Sequence, residues 1–501
     1  MTPGGHPLTG ESMKRIWIGL LACARGLFAA AAASLIESEA PGDRVHQHLD
    51  AAEKAACSHG SAVFCTHLPL LEIETGGVEI PGKPLGDGTE NYTVAADGSS
   101  KITCKIELTD HETANNHPDD EPQVASDALI GIRGRSSRSF DKNGYALRLQ
   151  TAEGENNPQS LAGMAPHHEW VLHGPFLDKS LMRNYMWYNI AGEIMDYAPN
   201  VRFCELILNG EYMGVYLLVE SITAGDDGAR LNLTADRKGN RFSGYALRLD
   251  EGSPTPIKNI DPFSIYSYRF PKKINIVYPG ADNLTEELAE EIRQDFSAFE
   301  KALYSFDFDD DKYGYKAMID VESFVAFMII NEFTLNYDAG WLSTYVYKDL
   351  DGLLRMCIWD FNSACDNYQD SQTEDMGFQF QNFVWYFMLT KDDYFIEAVI
   401  DRYAELREDY LSEEYLMDYI DGTVASLGDG VDRNFEKWGY SFAEEHDMLQ
   451  PASRNPRTYE EAIAQLKSAI RIRGDWMDEN IHTLRQYAAE SKVKKFIEHT
   501  K

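Results

Sequence analysis

The hydrophobic pattern changes character about halfway along the chain. Up to residue 250 the apolar positions alternate or come in short runs bounded by Gly, Asn and Pro. Leu68 to Thr75, Lys101 to Leu108, Tyr145 to Leu149, Phe203 to Leu208, Met213 to Val219 and Tyr245 to Asp250 read as strands. Val78 to Ile80 reads as a continuation of the first after Gly76-Gly77. Asn209-Gly210 between two apolar runs predicts a hairpin turn, because both residues accept positive φ. Residues 109 to 127 are rich in His, Asn, Pro and Asp and read as a loop. A helix is expected over Leu181 to Met195, with Asp178 or Ser180 as its cap. From residue 285 onward the period becomes helical. Residues 285 to 304, the run VESFVAFMII after an Asp320-Val321-Glu322-Ser323 cap, and residues 379 to 426 and 458 to 489 are expected helices. The expectation is an α+β chain. Its strand-rich part covers 67–255 and its helical part 256–490, after a start at 1–33 and a linker at 34–66, with a tail at 491–501.

One stretch, Asn331 to Tyr368, breaks the helical pattern. Asn336-Tyr337-Asp338-Ala339-Gly340 supplies turn formers after the apolar helix. Ser343 to Tyr347 is β-branched and aromatic, Asp351-Gly352 turns the chain, and Leu353 to Trp359 returns as a second strand. Each strand has an acid at an open end, Asp338 before the hairpin and Asp360 after it, 22 residues apart. Two loops flanking a hairpin can bring such acids to one mouth. One acid can accept a hydroxyl proton, and the other, with Asn362, can hold a hard cation. Protein kinases separate a catalytic Asp from a metal-binding Asp in this way. On spacing alone, turn capping is the commoner use of acids so placed.

Earlier in the chain, Ile130-Gly131-Ile132-Arg133-Gly134-Arg135-Ser136-Ser137-Arg138-Ser139-Phe140 reads as a loop before the Tyr145 strand. Its small residues and guanidinium groups make an anion cradle, without a Walker or Gly-x-Gly-x-x-Gly pattern. Arg183 sits near the start of its helix, where the dipole disfavours a cation; a fixed anionic partner and an exposed Arg both fit that position.

Together these motifs resemble the spore-coat protein H (CotH) kinase family, secreted atypical protein kinases. The resemblance lies in Asn336-Tyr337-Asp338, Ser343-Thr344-Tyr345-Val346-Tyr347-Lys348-Asp349, Asp351-Gly352 and Trp359-Asp360-Phe361-Asn362. It extends to the arginine loop, to the Asp178 to Asn184 segment, to Asn209 through Glu220, and to Arg471, Arg473 and Trp476, spanning Leu68 to Leu484. It implies a two-lobed protein-kinase-like fold that binds ATP with Mg²⁺ or Mn²⁺. It implies Asp338 as catalytic acid/base and Asp360, with Asn362, as the metal ligands. It implies nucleotide contacts from Arg148, where the family commonly has Lys, and from Arg138, Lys142, Arg183 and Ser343. Glu220, with Ser221, would leave the small lobe at a hinge near the base. The chain departs from the family at Asn362, which stands for a second acid, at Arg148, at Asn143, and at Cys357-Ile358, where a Pro is common.

Charge narrows the partners. The chain has 81 acidic against 46 basic residues, a net charge of −35, so there is no basic surplus to displace counterions from nucleic acid. The acidity fits a protein that acts on basic partners, although a solvated acidic surface is the commoner meaning of such charge; the resemblance implies a protein substrate, basic and Ser-rich. Met13-Lys14-Arg15 and the apolar run after it resemble a signal peptide, to be cleaved between Ala22 and Pro41. Leu20-Leu21-Ala22-Cys23 also resembles a lipoprotein box at Cys23. No later stretch is long and apolar enough to span a bilayer. A secreted or cell-surface protein is therefore expected. Cys57 and Cys65 could pair after export, whereas Cys104, Cys204, Cys357 and Cys365 read as buried apolar residues. Asp307 to Asp311 lacks the Gly and Glu of an EF-hand and reads as a solvated loop. Three functions fit these observations unequally. The first is an exported kinase moving the ATP γ-phosphate to Ser or Thr of a protein. The second is a non-catalytic surface or coat scaffold on the same fold, favoured by Asn362 and Arg148. The third, a glycoside hydrolase, has paired acids but no motif.

Overall fold

The computed structural model describes residues 64–86, 91–224, 243–261, 273–336, 338–350, 352–367, 377–444, 446–449 and 452–488, with Lys54, Leu231, Leu233 and Thr234. The segment 1–33 with Cys23, most of 34–66 including Cys57, and the tail 491–501 lie outside the described residues.

Alternation builds the first half. Strands β1 (Leu70–Glu74), β2 (Ile102–Thr109), β3 (Val124–Arg133), β4 (Gly144–Gln150), β5 (Glu169–His173), β6 (Val201–Leu208) and β7 (Glu211–Glu220) close into a barrel in the order β1-β2-β3-β4-β5-β7-β6. β6 meets β1 in parallel, pairing Leu70 with Glu205, and closure leaves no open edge. Inward positions such as Ile73, Ile106, Ala128, Leu147, Leu172, Leu206 and Leu218 fill the interior. Asn209 and Gly210 take φ of 52° and 75° in the β6–β7 turn, as the Asn-Gly pair predicts. Two expectations change. Ile130 to Arg133 is the end of β3 rather than loop, so the arginine loop begins at Gly134, and Val78 to Ile80 is not a strand.

A second sheet is ordered β12-β11-β8-β10-β9, from β8 (Tyr245–Asp250), β9 (Asn259–Ile260), β10 (Lys273–Tyr278), β11 (Thr344–Lys348) and β12 (Arg355–Cys357). β8 pairs antiparallel with β11, Tyr345 opposite Arg248. One sheet therefore takes strands from both sides of residue 255. Among the described residues the α-helices are α1 (Arg183–Ile194), between β5 and β6, then α2 (Glu286–Leu303), α3 (Val321–Thr334), α4 (Tyr386–Leu389), α5 (Asp393–Arg407), α6 (Glu413–Leu427), α7 (Gly430–Trp438) and α8 (Tyr459–Asn480). Asp320 caps α3 through its carboxylate, which accepts from Ser323 N–H at 3.0 Å. Ser323 to Thr334 is buried without a break, as a helix apolar on every face must be. Thr285 caps α2 in the same manner. No described helix is long and apolar enough to cross a membrane.

Barrel and helices are locked by buried polar contacts. Lys142, 1% exposed, donates from Nζ to Asn434 Oδ1 of α7 at 2.7 Å. Gly214, at φ 96°, lets α7 approach β7; a Cβ there would stand 2.6 Å from Asn434 Oδ1. Glu205, fully buried on β6, pairs with Arg433 at 2.7 Å.

The outer barrel face carries one conflict. Glu72 on β1 stands directly opposite Glu107 on β2. Burial first, then Glu107, Asp119 and Glu74, push its carboxyl up to about 7 from the ordinary 4.5. The fold thus binds this proton more tightly than the unfolded chain does. Its stabilising contribution is complete below pH 4.5 and is lost as pH rises through about 7. Glu72→Gln is expected to raise the melting temperature at pH 8 and to change it little at pH 5. An equal effect at both pH values would mean that Glu72 ionises freely.

Candidate active site

A cleft of about 730 Å³ opens between the β3–β4 loop, the segment from His173 to Tyr188, the end of β8 and the loops on either side of the β11–β12 hairpin. Asp338, Ser343, Asp360 and Asn362 all line it.

The first loop leaves the end of α3. Leu335, at φ 48°, ends the helix. Asn336 is buried and donates from Nδ2 to Asn331 Oδ1 at 3.0 Å. The next turn is closed by Leu342 N–H donating to the Asp338 carbonyl at 2.9 Å. Gly340, at φ 92°, packs where a Cβ would stand 2.5 Å from the Phe383 ring. These contacts hold Asp338, half-buried, at the cleft wall.

The second loop is held by α1. Asp360 N–H donates to Tyr188 Oη at 3.0 Å, and Phe361 N–H donates to Asn184 Oδ1 at 2.6 Å. Asn184 Nδ2 donates to Asn362 Oδ1 at 3.1 Å, and Asn362 Nδ2 donates to Asp360 Oδ1 at 2.6 Å. Ser363 Oγ donates to Asn336 Oδ1 at 3.3 Å, which ties the two loops together. Burial pushes the Asp360 carboxyl up, while Arg133 and the bonds from Asn362 pull it back. Burial, then the charge of Arg133, pushes the His173 imidazole down to about 4, so it is neutral at pH 7.

Backbone strain concentrates here. Six of the eight non-glycine residues with positive φ among the described residues are Leu181, Leu335, Ser343, Asp360, Cys365 and Asp366. Each lines the cleft or lies within four residues of one that does, as strained backbone does at functional sites.

Four guanidinium groups face these acids. Arg135 pairs with Glu251 across the mouth. Arg138 donates to the carbonyls of Gly134 at 2.6 Å and Gly82 at 2.9 Å. Arg248 pairs with Asp250 at 3.2 Å. Arg133 lies over the Trp359 ring, 5.5 Å from its centroid.

The structure brings together Asp338, Ser343, Asp360, Asn362 and Arg138 of the residues singled out in the sequence. It does not bring Arg148, Lys142, Arg183 or Glu220 to the cleft lining. Arg148 donates from Nε and Nη2 to Asn156 Oδ1 at 3.0 and 2.8 Å. Lys142 is spent on α7. Arg183 has a fixed anionic partner, but it is Asp178 of this chain, at 2.6 Å. Its other donors hold the carbonyls of Ala364 and Cys365 at 2.8 and 3.1 Å. Glu220 accepts from Asn200 N–H at 3.0 Å and from Asn200 Nδ2 at 3.2 Å, and its neighbour Val219 lines the cleft instead. Sequence reading missed Arg133, His173, Tyr188, Arg248 and Asp250. Arg133 and His173 stood inside the motifs read, but nothing in the spacing marked them out.

The oxygen donors suit a hard divalent cation. Asp360 brings a buried carboxylate and Asn362 an amide oxygen. That oxygen already accepts from Asn184, and a single acid makes a weaker cage than two.

Residues 130–477 match the family described as CotH kinase protein. The inner spore coat protein H of Bacillus subtilis (strain 168) is 24% identical over 260 residues. That span is 48% of this chain and 60% of the relative.

Proposed function

The chain belongs to the CotH kinase protein family, and from that premise we propose that it is an ATP-dependent phosphotransferase acting on Ser or Thr of a protein. The observation that carries the reading is the pair Asp338 and Asp360 on one cleft wall, linked through Asn336 and Ser363. In this reading the barrel serves as a small lobe and the helical part as a large one. Asp338 orients the acceptor hydroxyl and takes its proton. Asp360 and Asn362 would hold Mg²⁺ or Mn²⁺. Bound there, the cation would neutralise charge on the phosphates. Asn184 and Tyr188 fix the Asp360 loop, so its carboxylate need not reorganise when the nucleotide enters. The acceptor is basic and Ser-rich, in keeping with the charge of −35. The location is the cell surface or a coat, in keeping with the relative's name.

The test is thermal. With saturating ATP the melting temperature is expected to rise only when Mg²⁺ or Mn²⁺ is present. Stabilisation is about 2.7 kcal/mol at a hundredfold excess over Kd. Asp360→Ala should abolish the metal-dependent part, because the triphosphate then meets acids without a counter-ion. Labelled ATP with a basic Ser-rich protein then reads transfer. No shift in the wild type with either metal would leave the scaffold reading in its place.

A further inference from the structure

We infer that Arg133 is the residue that grips the phosphate chain of the nucleotide, in place of the strand residue at 148 to which the resemblance points. This rests on the cleft being the nucleotide site.

The four cleft arginines differ in what they have left to give. A guanidinium has five donors in a fixed fork. Arg135 is paired with Glu251, and Arg248 with Asp250. Arg138 is bound to two carbonyls and stacked on Tyr92, 4.2 Å from the ring centroid. Arg133 makes no side-chain hydrogen bond to any described residue, and its guanidinium lies over the face of Trp359. Its fork is held in place with its donors unspent.

The platform is rigid. Trp359 stacks on Tyr188 at 5.6 Å and meets the edge of Tyr345 at 5.9 Å. A cation over an indole face within about 6 Å is held by the ring quadrupole while its in-plane N–H groups stay open. Arg133 ends β3, opposite Gly144 of β4, so no cross-strand side chain crowds it. Gly134, at φ 106°, then turns the chain into the loop. Arg133 is close enough to Asp360 and to His173 for its charge to act on both.

A second polar group stands in the same place. His173 lines the same cleft, and its imidazole interacts with the Asn362 side chain. The cleft is otherwise walled by Asp178, Asp250, Glu251, Asp338 and Asp360. A polyanion entering that field needs a cation whose donors are not already spent, and a bidentate guanidinium matches phosphate geometry.

The test is calorimetric titration with MgATP, with inorganic tripolyphosphate, which lacks the base, and with adenosine, which lacks the phosphates. Arg133→Ala is expected to weaken ATP and tripolyphosphate alike by roughly tenfold to a hundredfold, as loss of charge-assisted hydrogen bonds does. Adenosine binding should not change, which separates lost contact from lost fold. Arg133→Gln should behave as Arg133→Ala, and Arg133→Lys should recover part of the affinity. Arg148→Ala should match the wild type. Tripolyphosphate binding unchanged in Arg133→Ala, absent in the wild type, or lost in Arg148→Ala would overturn the assignment. A wild type that takes tripolyphosphate through Arg133 but rejects ATP would overturn the nucleotide reading and uphold Arg133 as the anion receptor.

Discussion

Asp338→Asn is expected to fold as the wild type does and to lose phosphotransfer by about 10²–10⁴-fold, the contribution of a positioned general base. The loop that carries residue 338 is held by contacts on either side of it. Leu342 N–H donates to the Asp338 carbonyl, Asn336 is anchored to Asn331, and Gly340 packs on Phe383. Asn keeps the shape of Asp but cannot take a proton from a hydroxyl at neutral pH. The measurement is phosphate incorporation beside matched circular dichroism and melting curves. The same nucleotide titration should show ATP still bound, because Asp360, Asn362 and Arg133 are untouched. A folded Asp338→Asn protein with full activity would remove Asp338 from the mechanism.

Arg183→Ala is expected to cost about 3–5 kcal/mol of stability, as breaking one side of a buried ion pair does. Arg183 is 1% exposed and Asp178 3%. Removing the guanidinium strands the Asp178 carboxylate, although Ser180 Oγ and Arg183 N–H still donate to it. It also releases the carbonyls of Ala364 and Cys365, two and three residues after Asn362. The loss should appear in urea melts as a lower midpoint with an unchanged slope. Asp178→Asn with Arg183→Met should cost less than the sum of the two single changes, since neither charge is then left alone. A loss under about 1 kcal/mol in Arg183→Ala would place this pair with exposed ones.

Local chemistry was legible in the chain where neighbours in sequence are neighbours in space. The Asn209-Gly210 turn, the cap at Asp320 and the β11–β12 hairpin follow from residues a few positions apart. The hairpin alone is enough to put Asp338 and Asp360 at one mouth, because its two strands start and end together. Asn362 entered with them for the same reason.

Contacts between distant segments were not legible, because alternation says that a strand has an inner face but not which strand it meets. Nothing in Leu70–Glu74 or Val201–Leu208 announces that they pair in parallel and close a barrel. Nothing in Tyr245–Asp250 announces β11 as its neighbour, yet that pairing brings Arg248 and Asp250 to the cleft. The arginines show the limit most plainly. Arg133 and Arg148 lie on adjacent strands, and of the two the resemblance singles out only Arg148 as a phosphate contact. The register sets Arg133 opposite Gly144, so Arg148 stands four residues further along β4, about 13 Å at the rise of a strand. That offset carries one guanidinium to Trp359 and the other to Asn156. Residue type determined that a cation could bind phosphate; strand register, which only the closed barrel establishes, decided which one stands at the cleft.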